Sequence, residues 1–313
     1  FFVLNTIGVL AQNNQTRAAD KLFDRYEYVK AVDAYKVLVE NGKTDVHIFK
    51  RLGESYYFMN NSVEAENWFE KALQLNKDAD SYYKYAQVLK SNGKYDLSDA
   101  QMKLFVSMVP NDPRAKEFSN NSNYLSKISN KAKVFDINKI DINSENSDFG
   151  AIQYNDVVYF TSSRNQNRKI YGWNNEPFLD LYQSNYNKKD GIYSQPKPIS
   201  ELNSIYHEGP LTMTEDGKTI YFSSESFNEK LFDNDKVRKI KFGQVNLYKA
   251  TDNDGKWTNI TPLPFNSKSY SVSNPSISKN GEILYFASNM PGTLGGLDIW
   301  KVSVKADGSF GNP

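Results

Sequence analysis

The chain has no cysteine. That single absence removes disulfides, thiolate metal sites and cysteine nucleophiles together, and it leaves no residue to carry a lipoprotein acyl group. Histidine is nearly missing too, with only His47 and His207 in 313 residues. Charge of one sign is lacking: 38 Lys and Arg against 37 Asp and Glu leave a formal net charge of +1. Binding nucleic acid requires neutralising many phosphates, so this balance argues against it unless the basic residues cluster. The only basic run, Val237-Arg238-Lys239-Ile240-Lys241, is short and falls where an insertion between strands is expected. Past the N-terminus no stretch approaches the ~20 consecutive apolar residues of a membrane span.

What the chain does contain begins with Phe1-Phe2-Val3-Leu4-Asn5-Thr6-Ile7-Gly8-Val9-Leu10-Ala11. Residues 1–11 read as the remnant of an export signal, with Val9 and Ala11 as the small residues before a cleavage point. The plainer alternative is an ordinary apolar strand or helix. The export reading makes the mature protein soluble and periplasmic.

Residues 12–133 carry a helical period that repeats at close to 34 residues. The middle copy is clearest, with Phe49, Leu52, Gly53 and Tyr56 followed by Ala65, Phe69 and Ala72. The next has Tyr82, Tyr85, Ala86 and Leu89, a turn at Gly93, then Ser98, Met102 and Phe105. A weaker first copy keeps Tyr28, Ala31, Tyr35 and Leu38. Small residues at such spacing let two helices approach closely, and large ones fill the adjoining holes. The pattern resembles the tetratricopeptide repeat, a helix–turn–helix unit that stacks into a solenoid. Asp112-Pro113 should start a capping helix running to about residue 128, with a bend at Asn120-Asn121-Ser122-Asn123. In this register Lys50, Glu54, Tyr57, Tyr83, Gln87 and Lys90 face the concave groove and are candidates for protein docking. The competing reading is a solvated helix face.

Residues 134–313 change character. Three times an aromatic strand ends in small hydroxyl or alanine residues: Val157-Val158-Tyr159-Phe160-Thr161-Ser162-Ser163, Thr219-Ile220-Tyr221-Phe222-Ser223-Ser224 and Ile283-Leu284-Tyr285-Phe286-Ala287-Ser288. Each is followed after a spacer by a second strand, at Leu179-Asp180-Leu181-Tyr182, Val245-Asn246-Leu247-Tyr248 and Leu297-Asp298-Ile299-Trp300. Repeated units of about four short antiparallel strands are the signature of a β-propeller. The expected class is therefore multidomain α+β: a tetratricopeptide α-solenoid, then a propeller of the WD40 or PD40 kind with about three blades, incomplete at its C-terminus. The unequal spacers read as insertions, where binding often resides. Tyr171, Trp173 and Phe178 in the first, and Phe227, Leu231 and Phe232 in the second, are candidate partner anchors. The alternative is that they fold back onto the β domain.

Chemistry is sparse. No Gly-x-Ser-x-Gly elbow accompanies either histidine, and His207 in His207-Glu208-Gly209-Pro210 reads as a structural residue at a blade edge. Asp252-Asn253-Asp254-Gly255 lacks the later ligands of a calcium loop and reads as a hairpin turn. Asp180, Asn246 and Asp298 recur as strand-edge hydrogen-bonding residues. No catalytic residue, metal ligand or cofactor site is assigned, and no enzyme activity is expected.

The stretch Asp216-Gly217-Lys218…Tyr221-Phe222-Ser223-Ser224, with Gly295-Gly296-Leu297-Asp298-Ile299-Trp300, resembles the TolB-type PD40 repeat. Together with Asn143-Ser144…Ser147-Asp148-Phe149-Gly150, Gly172-Trp173-Asn174…Pro177-Phe178-Leu179 and the helical repeats, the order is similar to that of periplasmic OmpA-family proteins of Bacteroidetes, the PorE-type group of the type IX secretion and gliding machinery. That resemblance implies a non-catalytic scaffold under the outer membrane. Its partners would be outer-membrane β-barrel components of the PorP/SprF type, and peptidoglycan would be held by a C-terminal OmpA-like domain not encoded in these residues. The rival expectations are a carbohydrate- or small-ligand-binding propeller and the propeller of an exported hydrolase.

Overall fold

The computed structural model describes residues 15–121, 132 and 134–313. The expected signal remnant 1–11 and the far end of the capping helix lie outside them. The chain divides into two compact units: residues 1–137 with Gly172–Asn175, and residues 138–171 with 176–313.

In the helical unit, α1 covers residues 15–24. It is followed by α2 (Tyr28–Glu40), α3 (Val46–Phe58), α4 (Ser62–Leu75), α5 (Ala79–Ser91), α6 (Tyr95–Met108) and α7 (Pro113–Asn120). Local chemistry sets the starts. Asp45, Asn61, Asp78 and Asp112 each accept a backbone N–H at the first turn of α3, α4, α5 and α7, satisfying a donor that the helix cannot. Pro113 occupies the first turn of α7, where its missing N–H costs nothing. Gly93, at φ +74°, ends α5.

The helices pair as α1/α2, α3/α4 and α5/α6. Ala65, Phe69 and Ala72 of α4 are buried, and Ala31 and Tyr35 of α2 repeat the pattern and are fully buried too. The weak first copy is thus the second helix of its pair, and α1 supplies the first. Close approach of α3 to α4 depends on Gly53: a Cβ there would stand 2.9 Å from the Phe69 ring. In the last pair Ser98 takes the small position and donates its hydroxyl to the Ala86 carbonyl at 2.8 Å.

The β unit holds three antiparallel sheets built on one plan. The first runs β1 (Asp148–Tyr154), β2 (Val157–Ser162), β3 (Asp180–Asn187), with β4 (Ile192–Tyr193) and β5 (Lys197–Pro198) each pairing part of β3. The second runs β6 (Glu208–Met213), β7 (Thr219–Glu225), β10 (Val245–Asn253), β11 (Lys256–Pro262). The third has β12 (Val272–Ile277), β13 (Ile283–Ser288) and β14 (Asp298–Ser303), extended by one bridge between Val304 and Phe310. The second insertion forms its own hairpin, β8 (Phe232–Asp235) with β9 (Ile240–Gly243). Only the second sheet has four full strands in simple meander order.

The pairing registers make the repeat quantitative. Ser162, Ser224 and Ser288 stand opposite Asp180, Asn246 and Asp298. On their other side the same serines stand opposite Asp148, Glu208 and Val272. Each first strand carries an irregularity just beyond that pair, between Phe149 and Ile152, Glu208 and Leu211, and Ser273 and Ser276. A bulge repeated at one register position is a built feature that bends the strand. Asp254-Gly255, at φ +52° and +81°, forms the two-residue turn joining β10 to β11, so this Asp-rich stretch serves as a hairpin.

A second repeat locks the sheets. Asn203 accepts the Leu181 N–H at 2.7 Å and donates to the Leu181 carbonyl at 3.0 Å. Asn266 does the same for Leu247, at 3.0 and 2.7 Å. Each asparagine follows a buried apolar residue, Leu202 or Phe265, and precedes a serine.

Candidate docking groove

The first helices of the pairs present the residues expected to face the groove, and all six are half-buried or buried. Lys50 and Glu54 are engaged in ion pairs that reach the next first helix. Lys50 of α3 reaches Asp78 at the start of α5, 2.8 Å away. Burial alone would raise the Asp78 carboxyl, but hydrogen bonds from Lys50 and Ser81 outweigh it and hold the group below its ordinary value. Glu54, 5% exposed, lies between Arg51 at 3.1 Å and Lys84 at 2.7 Å. Lys84 also meets Asp80 at 2.8 Å. Burial would lower the Lys84 ammonium, yet these two carboxylates raise it. Lys50 and Glu54 thus cross-brace α3 and α5.

Three of the other four line an open feature. Tyr83, Gln87 and Lys90 of α5 line a cavity of about 710 Å³, completed by Ser98, Asp99 and Met102 of α6 and by Pro113, Arg114, Glu117 and Phe118 of α7. The volume suits several side chains of a bound segment. Its floor is aromatic and sulfur-bearing: the Tyr83 ring lies 5.3 Å from Phe105, and Gln87 donates to the Met102 sulfur at 3.8 Å. Arg114 forms one wall. Its guanidinium is fixed by two hydrogen bonds to Asp112, at 3.0 and 2.9 Å, and lies 4.3 Å from the Tyr83 ring centre. Tyr57 lies one helix away, and burial followed by proximity to Tyr83 raises its phenol. Arg114, Met102 and Phe118 were not among the residues expected from the sequence. The signal for Arg114 was its place right after the Asp-Pro start of α7.

The loop aromatics fold inward. Phe178 is buried and stacks on His207 at 4.0 Å, with Tyr171 edge-on to both. Phe227 is stacked between Tyr206 and Phe232, at 5.4 and 5.6 Å. Gly243 admits the Phe227 ring, since a Cβ there would stand 2.6 Å from it. Trp173, in the short segment grouped with the helical unit, stacks on Tyr26 at 5.8 Å and meets Tyr28 edge-on at 5.0 Å. Its indole N–H donates to the Phe58 carbonyl at 2.8 Å. Trp173 packs against the helical core, Phe178 is buried, and Tyr171 keeps 37% of its surface exposed.

His207 belongs to a buried polar cluster. Its Nδ1 accepts the Leu179 N–H at 3.1 Å, and burial, helped by the nearby Arg168 charge, lowers its pKa to about 4. Glu208 is fully buried and accepts hydroxyls from Ser204 at 2.5 Å and Ser224 at 3.1 Å. Arg168 is closer to Asp180, at 3.2 Å, than to Glu208, at 3.9 Å. Burial therefore dominates at Glu208 and pushes its carboxyl up to about 7. Asp148 repeats the motif in the first sheet, bound by Ser144 and Arg164. Among the described residues no group of three or more acidic or histidine side chains could hold a metal ion, and no helix is long and apolar enough to cross a membrane.

A tetratricopeptide repeat family model matches residues 49–78, the clearest helical copy. The chain contains a tetratricopeptide repeat. No curated protein matches the chain. Among solved structures, the chain is similar to the C-terminal part of a TPR repeat-containing protein from Cytophaga hutchinsonii, at 19% identity over 37% of this chain and 45% of that one, with a TM-score of 0.32. It is also similar to the type III secretion translocator chaperone SycD of Yersinia enterocolitica, at 20% identity over 37% of this chain and 90% of that one, with a TM-score of 0.31. A Hadza microbial sialidase aligns at 12% identity over 49% of this chain and 30% of that one, with a TM-score of 0.26.

Proposed function

We propose that this chain is a non-catalytic scaffold that docks protein partners through the α5–α7 groove. The observation that carries this is the aromatic-floored cavity of about 710 Å³ at Tyr83, Gln87 and Met102, walled by a fixed Arg114, in a chain with a tetratricopeptide repeat. An anchored guanidinium beside an aromatic floor offers both a charge and an apolar seat at low ordering cost. The loop aromatics, committed to local packing, leave the groove as the better docking candidate.

In the finer reading, the β unit is part of a PD40-type propeller, and the protein is a periplasmic OmpA-family scaffold that links an outer-membrane β-barrel component to the cell wall. Support for the propeller comes from three sheets with matching registers, bulges and serines. Support for the envelope role is the order of sequence stretches similar to the PorE-type group.

A photo-crosslinking residue at Gln87 tests the proposal in envelope preparations, with one at Val63, an exposed residue of α4, as control. Crosslinking of an outer-membrane barrel protein from Gln87 but not from Val63 is the expected result. Equal crosslinking from both, or none from Gln87 while the complex is intact, would overturn the groove assignment.

A further inference from the structure

The first two sheets each line up an acid, a serine and an Asp or Asn across three strands: Asp148, Ser162 and Asp180, then Glu208, Ser224 and Asn246. Two residues along the same strand faces an aromatic pair stacks, Phe160 on Tyr182 at 5.9 Å and Phe222 on Tyr248 at 5.7 Å. What meets the acid differs from sheet to sheet. In the first, Arg164 stands two residues past the serine. Its guanidinium lies 2.6 Å from Asp148, 2.8 Å from the Ser162 hydroxyl, and 4.9 and 5.2 Å from the two ring centres. The third sheet solves the same place without charge: Val272 replaces the acid, and Met290, two past Ser288, is buried in one core with it. The second sheet keeps the acid but has Ser226 at the arginine position, and that hydroxyl donates to the Leu231 carbonyl at 2.5 Å.

Glu208 Oε1 accepts from Ser204 and Ser224, but Oε2 has no hydrogen-bond partner among the described residues. Arg168, the cation that approaches it, stops 3.9 Å away, because it is held by the Tyr206 carbonyl at 2.8 Å and by Asp180 at 3.2 Å. Asn246 is fully buried and donates to Glu229 at 3.3 Å, which leaves its own Oδ1 without a partner. The Tyr248 hydroxyl is close by: burial, then the Glu229 and Glu208 carboxylates, raises its phenol. When ionised, Asp180, Glu208 and Glu229 share one guanidinium among the described residues, so two negative charges stand uncompensated where burial makes that costly.

We propose that Glu208, Glu229 and Asn246 form a binding site for a hard divalent cation of the calcium class, the counterpart in the second sheet of the Arg164 guanidinium in the first. The donors offered are all oxygens: two carboxylates and the Asn246 amide, with the Tyr248 hydroxyl beside them. Such a set suits calcium, which accepts carboxylate and amide oxygens in flexible geometry and completes its shell with water, and it offers nothing to a metal that prefers nitrogen or sulfur. With two carboxylates it falls short of the three acidic side chains that would mark a metal centre by charge alone. Glu229 is half-exposed and gives the ion its way in. A bound cation would tie β6 and β10 to the turn Ser226–Glu229 that opens the second insertion, fixing the root of the β8–β9 hairpin. This inference stands independently of the groove.

Calorimetric titration of the whole chain with calcium chloride tests this, at pH 8 so that Glu208, whose carboxyl burial pushes up to about 7, is ionised. The chain should bind calcium, and Glu208→Gln and Glu229→Gln should each weaken that binding ~10-fold or more, since affinity follows the charge of the ligand set. Asp254→Asn, in the exposed Asp-Gly turn of the second sheet, should leave it unchanged. Hydrogen exchange adds the location: calcium should slow the Ser226 and Leu231 amides in the parent and not in Glu229→Gln. Circular dichroism checks that each variant folds, and Glu229→Gln, at a half-exposed position, decides alone if Glu208→Gln does not. No binding at ~5 mM calcium, beyond the ~1 mM of the weakest calcium modules, overturns the proposal and leaves Glu208 to be neutralised by a proton. So does binding that survives Glu229→Gln, or that is lost in Asp254→Asn.

Discussion

Gly53→Ala sets two physical effects of opposite sign against each other. Intrinsic helix propensity favours alanine over glycine by about 1 kcal/mol in a helix interior, so on local grounds α3 should gain. Packing says otherwise. The new methyl would stand 2.9, 3.0 and 3.1 Å from three carbons of Phe69, and that ring is fully buried, with Leu52 and Ala65 also at 0% exposure. A ring held on all sides cannot turn away, so α3 and α4 must separate by a few tenths of an ångström. Overpacking of this kind costs typically about 1–3 kcal/mol, and a net loss of up to ~2 kcal/mol follows once the propensity gain of about 1 kcal/mol is subtracted. Urea unfolding followed by helical circular dichroism measures it. The double variant Gly53→Ala/Phe69→Leu should lose less than the sum of the single variants, because the smaller side chain makes room for the methyl. A Gly53→Ala chain more stable than the parent, or strict additivity in the double variant, would show that the α3–α4 contact is not what glycine serves here.

Three further outcomes follow from the same geometry. Trp173→Ala should destabilise the helical unit by about 2–3 kcal/mol, as a large, partly buried ring and its indole hydrogen bond are lost, and Trp173→Phe should recover part of it; thermal melts at 222 nm check both. Glu208, with its folded-state pKa near 7 above the roughly 4.3 of an unfolded chain, contributes stability that is complete below the unfolded value and is lost as pH rises through 7. Glu208→Gln should therefore flatten the fall in β-unit stability between pH 5 and 8, measured by denaturant midpoints across that range, leaving the residual slope from Glu225, which burial also raises to about 7. Asn266→Ala should strip the Leu247 N–H of its partner and leave the Leu247 carbonyl only the Leu263 N–H, at 2.9 Å, at a cost of about 1–3 kcal/mol, seen as faster amide exchange at Leu247 than at Leu181.

The helical half was legible where small and large residues alternate at fixed spacing. Gly53, Ala65, Phe69 and Ala72 announce a helix pair because only small residues permit the approach that Phe69 then fills. The first copy was half-legible: Ala31 and Tyr35 marked α2, whereas in α1 the small–large pair is Ala19 and Phe23, both buried in the same core, a single spacing that did not stand out by itself. Groove residues followed from periodicity alone, which tells which way Lys50 and Glu54 point. It cannot tell that Asp78 and Lys84, on the next helix, point the same way and claim their charges. Arg114 escaped notice for the converse reason, since its value as a wall depends on Tyr83, 31 positions earlier.

In the β half the aromatic strands stood out because each is an unbroken apolar-aromatic run ending in small residues, buried almost throughout in the first two sheets, whereas the asparagine clamp did not. Ile142-Asn143-Ser144, Leu202-Asn203-Ser204 and Phe265-Asn266-Ser267 are three copies of one motif, hidden because insertions of different length separate them from the strands they hold. Asn-Ser within a loop reads as turn chemistry, and the two hydrogen bonds that Asn203 and Asn266 make lie 22 and 19 residues upstream. The same reasoning explains Glu208, which the sequence shows only as the neighbour of His207 in His207-Glu208-Gly209-Pro210. It is buried because Ser204 and Ser224, brought together by the pairing of β6 with β7, satisfy one of its oxygens. Short motifs declare their local conformation, and the partner that gives them a role is chosen by sheet register.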